Sequence, residues 1–118
     1  MNYTIIAVDV AKRVFQLHWV ESETGEIHRL QLKRSHVIEF FTNRKPCIVA
    51  MEACGSAHYW GRKLKSLGHE VRLIAAQFVR PFVKSNKTDI ADAQAIWETA
   101  QRPGMKFVAL KSEEQQTF

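Results

Sequence analysis

From Tyr3 to Val10 the chain reads YTIIAVDV, a nearly continuous apolar run of the kind that forms a strand covered on both faces. Such a strand belongs near the centre of a sheet. After AKR, the run VFQLHWV alternates, with Phe15, Leu17 and Trp19 on one face and Gln16 and His18 on the other, as in a neighbouring strand. SETGE reads as a turn. EIHRLQL then alternates again, His28, Leu30 and Leu32 against Ile27, Arg29 and Gln31, so the first three strands form an antiparallel meander.

The pattern then changes period. Ser35 is placed to cap a short helix over HVIEFFTN that ends before Pro46, and CIVAME is a second buried strand. Ser56 is placed to cap another helix, in which Ala57, Trp60, Leu64 and Leu67 recur at helical spacing before Gly68, the usual residue for a left-handed stop. HEVRLIA predicts one more strand. Residues 76–87 are basic and irregular, with Pro81 interrupting any long helix. Thr88 is placed to cap a last helix that carries Asp89 and Asp92 and runs to RPG. A right-handed crossover after the meander sets CIVAME parallel to the first strand, on the side away from the second. The expected architecture is an α/β mixed sheet of about five strands flanked by helices, with a cleft where the carboxyl ends of its central strands meet.

At 118 residues the chain is one domain by length, with 46% hydrophobic and 25% charged residues, which excludes a disordered or fibrous chain. Its apolar runs are strand-length and no signal-peptide layout opens it, so the expected compartment is the cytosol. Lysine and arginine outnumber aspartate and glutamate by 17 to 12, a balance that favours a polyanionic partner. Cys47 and Cys54 are expected to be reduced, buried and structural. The i, i+4 spacing of Cys54 and His58 falls short of a four-ligand zinc pattern.

Charge becomes chemistry at four acids. Asp9 ends the first strand, Glu52 ends the CIVAME strand, and on the expected topology they are about 5 Å apart in the pairing direction. On the last helix, Asp89 shares a face with Ala93, Ile96, Trp97 and Ala100, Asp92 flanks it, and Glu98 falls on the opposite, solvent side. Four carboxylates in one partly buried place repel one another, and no lysine or arginine lies on that helical face. A divalent cation resolves the conflict. Magnesium or manganese, held by hard carboxylate oxygens as two neighbouring ions, suits phosphodiester chemistry. The alternative is local: Asp89 serving the helix dipole, Asp9 shaping a turn, Glu52 pairing with a lysine.

The stretches VDVAKRVFQLHWV, MEACGSAHYWGRKLKSLGHEVRLIA, QFVRPFVKSNKTDIADAQAI and RPGMKFVALKSEEQQ resemble the DEDD transposases of bacterial insertion sequences. The resemblance covers almost the whole chain, and Ala76 and Ser85 are small departures from its pattern. It implies a RuvC-like, RNase H-like fold over residues 1–110. It also implies metal-dependent DNA cleavage and strand exchange, with Asp9, Glu52, Asp89 and Asp92 as catalytic and metal-binding acids. Lys12, Arg80, Lys84 and Lys87 are the candidate nucleic-acid contacts. A guide RNA and a homo-oligomer of the full-length protein are further implied, together with a separate serine-bearing C-terminal domain.

Residues 111–118 read as the start of a connecting helix, with Ser112 and Gln115 in a capping-box arrangement, so the chain is expected to be the N-terminal piece of a longer protein, inactive alone. Two other classes remain in view. A noncatalytic nucleic-acid module would use the basic segment, with Phe78 or Phe82 more readily core than stacking platforms. An actin-like or sugar-kinase ATPase would share the sheet, but DVAKRVF has no glycine to admit phosphates.

Overall fold

The computed structural model describes residues 4–79 and 89–116, and the side chains of 89–91 lie outside the described set. Five strands form one mixed sheet in the order β3-β2-β1-β4-β5: β1 (Ile5–Asp9), β2 (Val14–Val20), β3 (Ile27–Lys33), β4 (Ile48–Glu52) and β5 (Glu70–Ile74). β1–β2 and β2–β3 are antiparallel, while β1–β4 and β4–β5 are parallel. The expected meander and the expected parallel β1–β4 pair are both observed, β5 adds a parallel edge beside β4, and the sheet is consistent with an RNase H-like fold.

Alternation along the strands divides two cores. On one face, Ile6, Val8, Phe15, Leu17, Trp19, Val49, Met51 and Leu73 pack beneath α1 (Val37–Thr42) and α2 (Gly55–Ser66), through Val37, Phe41, Ala57, Trp60 and Leu64. On the other, Ala7, Ala50 and Ile74 meet Val79 of α3 (Ala76–Val79) and Ala95, Ile96 and Ala100 of α4 (Asp89–Ala100). Helices on both faces explain why β1 is apolar up to Asp9. They also bury Gln16 and His18, the polar side of β2's alternation. β3, at the sheet edge, keeps a half-solvated alternation with His28, Leu30 and Leu32 inward.

Helix ends followed the sequence only in part. α2 stops in a Schellman motif: Gly68, at φ 97°, donates to the Lys65 carbonyl and His69 to that of Leu64. Ser35 caps nothing, because a 3-10 turn over Arg34–His36 precedes α1 and puts His36 at its N-cap. Ser56 likewise lies inside α2, whose N-cap is Cys54, with no side-chain cap bond. The start of the segment expected to be irregular is helical in α3, whereas Pro81 and Thr88 lie outside the described residues.

After α4 the chain turns back across β5 and α2. Val108 N–H donates to the Leu73 carbonyl at 2.8 Å, and Arg72 lies 5.3 Å from the Phe107 ring centroid. Lys111 N–H donates to His58 Nδ1 at 2.9 Å, and Arg62 donates to the Lys111 carbonyl and to Gln116. α5 (Glu113–Gln116) opens with the expected reciprocal capping box: Gln115 N–H donates to Ser112 Oγ, and Ser112 N–H to Gln115 Oε1. Among the described residues no helix is long and apolar enough to cross a membrane.

Candidate functional site

Asp9 and Glu52 are the last residues of β1 and β4. The parallel register pairs Val8 with Met51, so the two acids occupy the next position on adjacent strands, about 5 Å apart in the pairing direction. Strand alternation puts Asp9 on the face of Ile5 and Ala7, and Glu52 on the face of Ala50. That is the face α4 covers, and both acids are half-buried there.

Asp92 belongs to α4, which packs on the same face of the sheet. Trp97 Nε1–H donates to the Ile5 carbonyl at 3.1 Å, fixing the later part of α4 over the start of β1. Ala95, Ile96 and Ala100 of α4 share one buried cluster with Ala7, Ala50 and Ile74 of the sheet. Asp92 is half-buried, one turn before the buried Ala95 and Ile96. Alanines at 7, 50 and 95 leave little side chain between helix and sheet, which lets α4 lie close.

Among the described residues, the side chains of Glu52 and Asp92 make no hydrogen bond or ion pair, whereas Asp9 is engaged. Also among them, no three His, Cys, Asp or Glu side chains are gathered closely enough to hold a metal ion. The Asp89 side chain falls outside that set, as do Arg80, Phe82, Lys84 and Lys87. Lys12 is exposed in the β1–β2 turn, at the same end of the sheet as Asp9.

Several expectations about other residues change. Glu98 is half-buried rather than solvent-facing: it accepts from Gln94 Nε2 at 3.1 Å and lies near enough to His18 to favour its protonation. Cys54 is exposed, so only Cys47 is the buried thiol expected, and burial pushes the latter up to about 11. A thiol held protonated at neutral pH is not a nucleophile. His58 Nδ1 is occupied by the Lys111 amide; burial, then Lys111 and Arg62, hold its pKa below the usual histidine value. Phe78 is exposed rather than core.

Two features escaped the sequence reading. His18 is buried between β2 and α4, edge-on to Trp97 with ring centroids 5.5 Å apart, and its Nδ1 has no partner among the described residues. The alternation marked it as polar and off the main core, but only knowledge of α4's position reveals its burial. A groove lined by Lys12, Arg13, Lys33 and Arg34 was also missed, because its cations come from sequence segments some twenty residues apart.

A comparison with protein families finds no match. Individual relatives are plain. The chain is 57% identical over 116 residues to the "Probable family 20 transposase" of Pseudomonas aeruginosa, covering 98% of this chain and 34% of that protein. It is 46% identical over 117 residues to the "Transposase for insertion sequence element IS1328" of Yersinia enterocolitica, covering 99% and 35%. The "Transposase for insertion sequence element IS1111A" of Coxiella burnetii is 44% identical over 112 residues, covering 95% and 31%. The chain thus spans about a third of the length of these curated relatives.

Proposed function

We propose that this chain is the carboxylate-bearing domain of an insertion-sequence transposase, acting on DNA by metal-dependent phosphodiester cleavage and strand exchange. The observation that carries the reading is the β1–β4 register, which seats Asp9 beside Glu52 at the end of the sheet, on the face that α4 covers. The names of relatives sharing 44–57% identity support the transposition role. The donor set fits magnesium or manganese, since every candidate ligand is a hard carboxylate oxygen. Bound there, such ions would supply charge stabilisation at a phosphodiester. Glu52 and Asp92, half-buried without side-chain partners among the described residues, would hold them with Asp9 and Asp89. An ion would complete the gathering rather than find it finished. The guide RNA and the oligomer of the full-length protein belong to the same reading, as does dependence on a further domain for strand transfer.

The test is thermal. If the acids share a cation site, millimolar magnesium or manganese raises the melting temperature by several degrees, as about 2–3 kcal/mol of binding free energy would. Asp9→Asn and Asp92→Asn lose that rise, and Asp92→Asn melts higher than the parent in EDTA because one like charge is gone. Undiminished metal stabilisation in both variants removes the reading. The absence of a finished three-ligand cluster among the described residues favours one rival, a nucleic-acid module without chemistry. DNA affinity indifferent to metal, with no metal-induced stabilisation, decides for that rival.

A further inference from the structure

A second site lies at the same end of the sheet, on the side of α1 and α2. There a groove of about 730 Å³ is bounded by Lys12 and Arg13 from the β1–β2 turn and by Lys33, Arg34 and Ser35 after β3, with Val14, Ile38 and Trp60 as its apolar surface. No carboxylate lines it among the described residues. The two basic pairs are held abreast by backbone bonds, because Val14 pairs with Lys33 and Arg34 N–H donates to the Arg13 carbonyl at 2.8 Å. Arg34 lies over the Trp60 ring, 5.4 Å from its centroid, with Nη1 3.4 Å from the Lys12 carbonyl. Stacking and one weak bond leave most of its five N–H donors for an external acceptor.

Four like charges fixed around an apolar trough, with no acid among them, repel one another in the free protein. A polyanion relieves that repulsion and releases its own counterions. A single small anion would meet only part of the array and gain nothing from the apolar floor. A chain of phosphates joined by sugars meets both.

We propose that this groove holds a DNA backbone, with phosphates on Lys12, Arg13, Lys33 and Arg34 and sugars against Trp60 and Ile38. The assignment rests on the carboxylate reading above, since a duplex with a phosphodiester at Asp9 and Glu52 would run on past the β1–β2 turn into the groove. Contacts of this kind read no bases, so binding is sequence-independent and steeply salt-dependent.

The experiment is a fluorescence-anisotropy titration of the 118-residue chain with a labelled DNA duplex in EDTA, repeated over a range of salt. Replacing all four cations by alanine weakens binding at about 50 mM salt by tenfold or more and flattens the slope of log K against log salt by about three to four. Lys12→Ala with Lys33→Ala keeps the fold, since neither side chain makes a hydrogen bond or ion pair among the described residues, and flattens it by about two. Unchanged affinity and slope in both variants overturn the proposal, as does a parent chain that binds no DNA. An RNA duplex of equal length is titrated alongside, and loss of RNA binding with DNA binding intact also overturns it. Working in EDTA separates the two readings: absent metal stabilisation sinks the carboxylate site and leaves this readout standing, and the reverse holds.

Discussion

His18 shows what a single buried polar side chain does when part of it has no partner among the described residues. Burial, and after it the Arg29 charge, hold its pKa below the usual histidine value, while Glu98 pulls the other way more weakly. Trp97 covers its edge. Below about pH 6.5, the unperturbed histidine value, the unfolded chain takes up a proton that the folded chain resists, so stability is full above that pH and falls on acidification. His58 acts in the same direction, because protonation would end its acceptance of the Lys111 amide. Urea denaturation at pH 7.5 and 5.5 measures the effect: the parent loses more stability over that interval than His18→Phe, which fills the site without a titrating group. Equal losses would dissociate His18 from the acid response.

His69 is the contrasting case. Its Nδ1 accepts the Cys47 N–H at 3.1 Å and its Nε2–H donates to the Phe41 carbonyl at 2.7 Å, so one buried ring joins α1, the start of β4 and the α2–β5 loop. At this scale the sequence was least legible. Alternation told which way His18 pointed but not that a helix would cover it, and nothing local distinguished the buried Cys47 from the exposed Cys54.

Among the elements, α4 and the returning C-terminal segment are held differently. α4 is packed by small residues and pinned by one indole bond to Ile5. The return over α2 depends on close approach at Gly61, where an added Cβ would lie 2.7 Å from Leu110 Cδ1 and 3.2 Å from Val71 Cγ1. Both obstacles are side-chain tips, so alanine is accommodated by a shift of Leu110 and valine is not. Gly61→Val should therefore cost about 1–3 kcal/mol and lift the segment. Limited trypsin digestion checks this, with faster cleavage at Lys106 and Lys111 than in the parent while the rest of the chain stays resistant. Element type was readable from period except in α3, where an irregular segment was expected, and the starts of α1 and α2 were not readable. Ser35 and Ser56 look like caps in sequence, yet the chain entered each helix through other residues. Where the end chemistry was demanding, as at the Gly68 stop with its positive φ, or reciprocal, as at the Ser112–Gln115 start of α5, the sequence sufficed.

For the whole molecule, the order β3-β2-β1-β4 followed from two rules, short antiparallel connections and a right-handed crossover, and needed no knowledge of side-chain packing. The same rules put Asp9 and Glu52 side by side. The convergence of Asp89 and Asp92 on that pair was expected from helical periodicity, which fixes the face of α4 but not how far along the sheet its first turn lies; among the described residues no three acids form a cluster.

The seam between β1 and β4 joins residues 43 positions apart, as Ile5 with Ile48, whereas β1, β2 and β3 are consecutive. Loop closure of that length is entropically unfavourable until several contacts form together, so the meander should zip first and the seam close late. Stopped-flow refolding tests the order. Leu17→Ala, inside the meander, should slow folding, whereas Val49→Ala, inside the seam, should mainly hasten unfolding. The two strand-end carboxylates would then come within repulsive range only after half the sheet exists to oppose their separation, so electrostatic frustration is postponed to a stage at which it can no longer misdirect the chain.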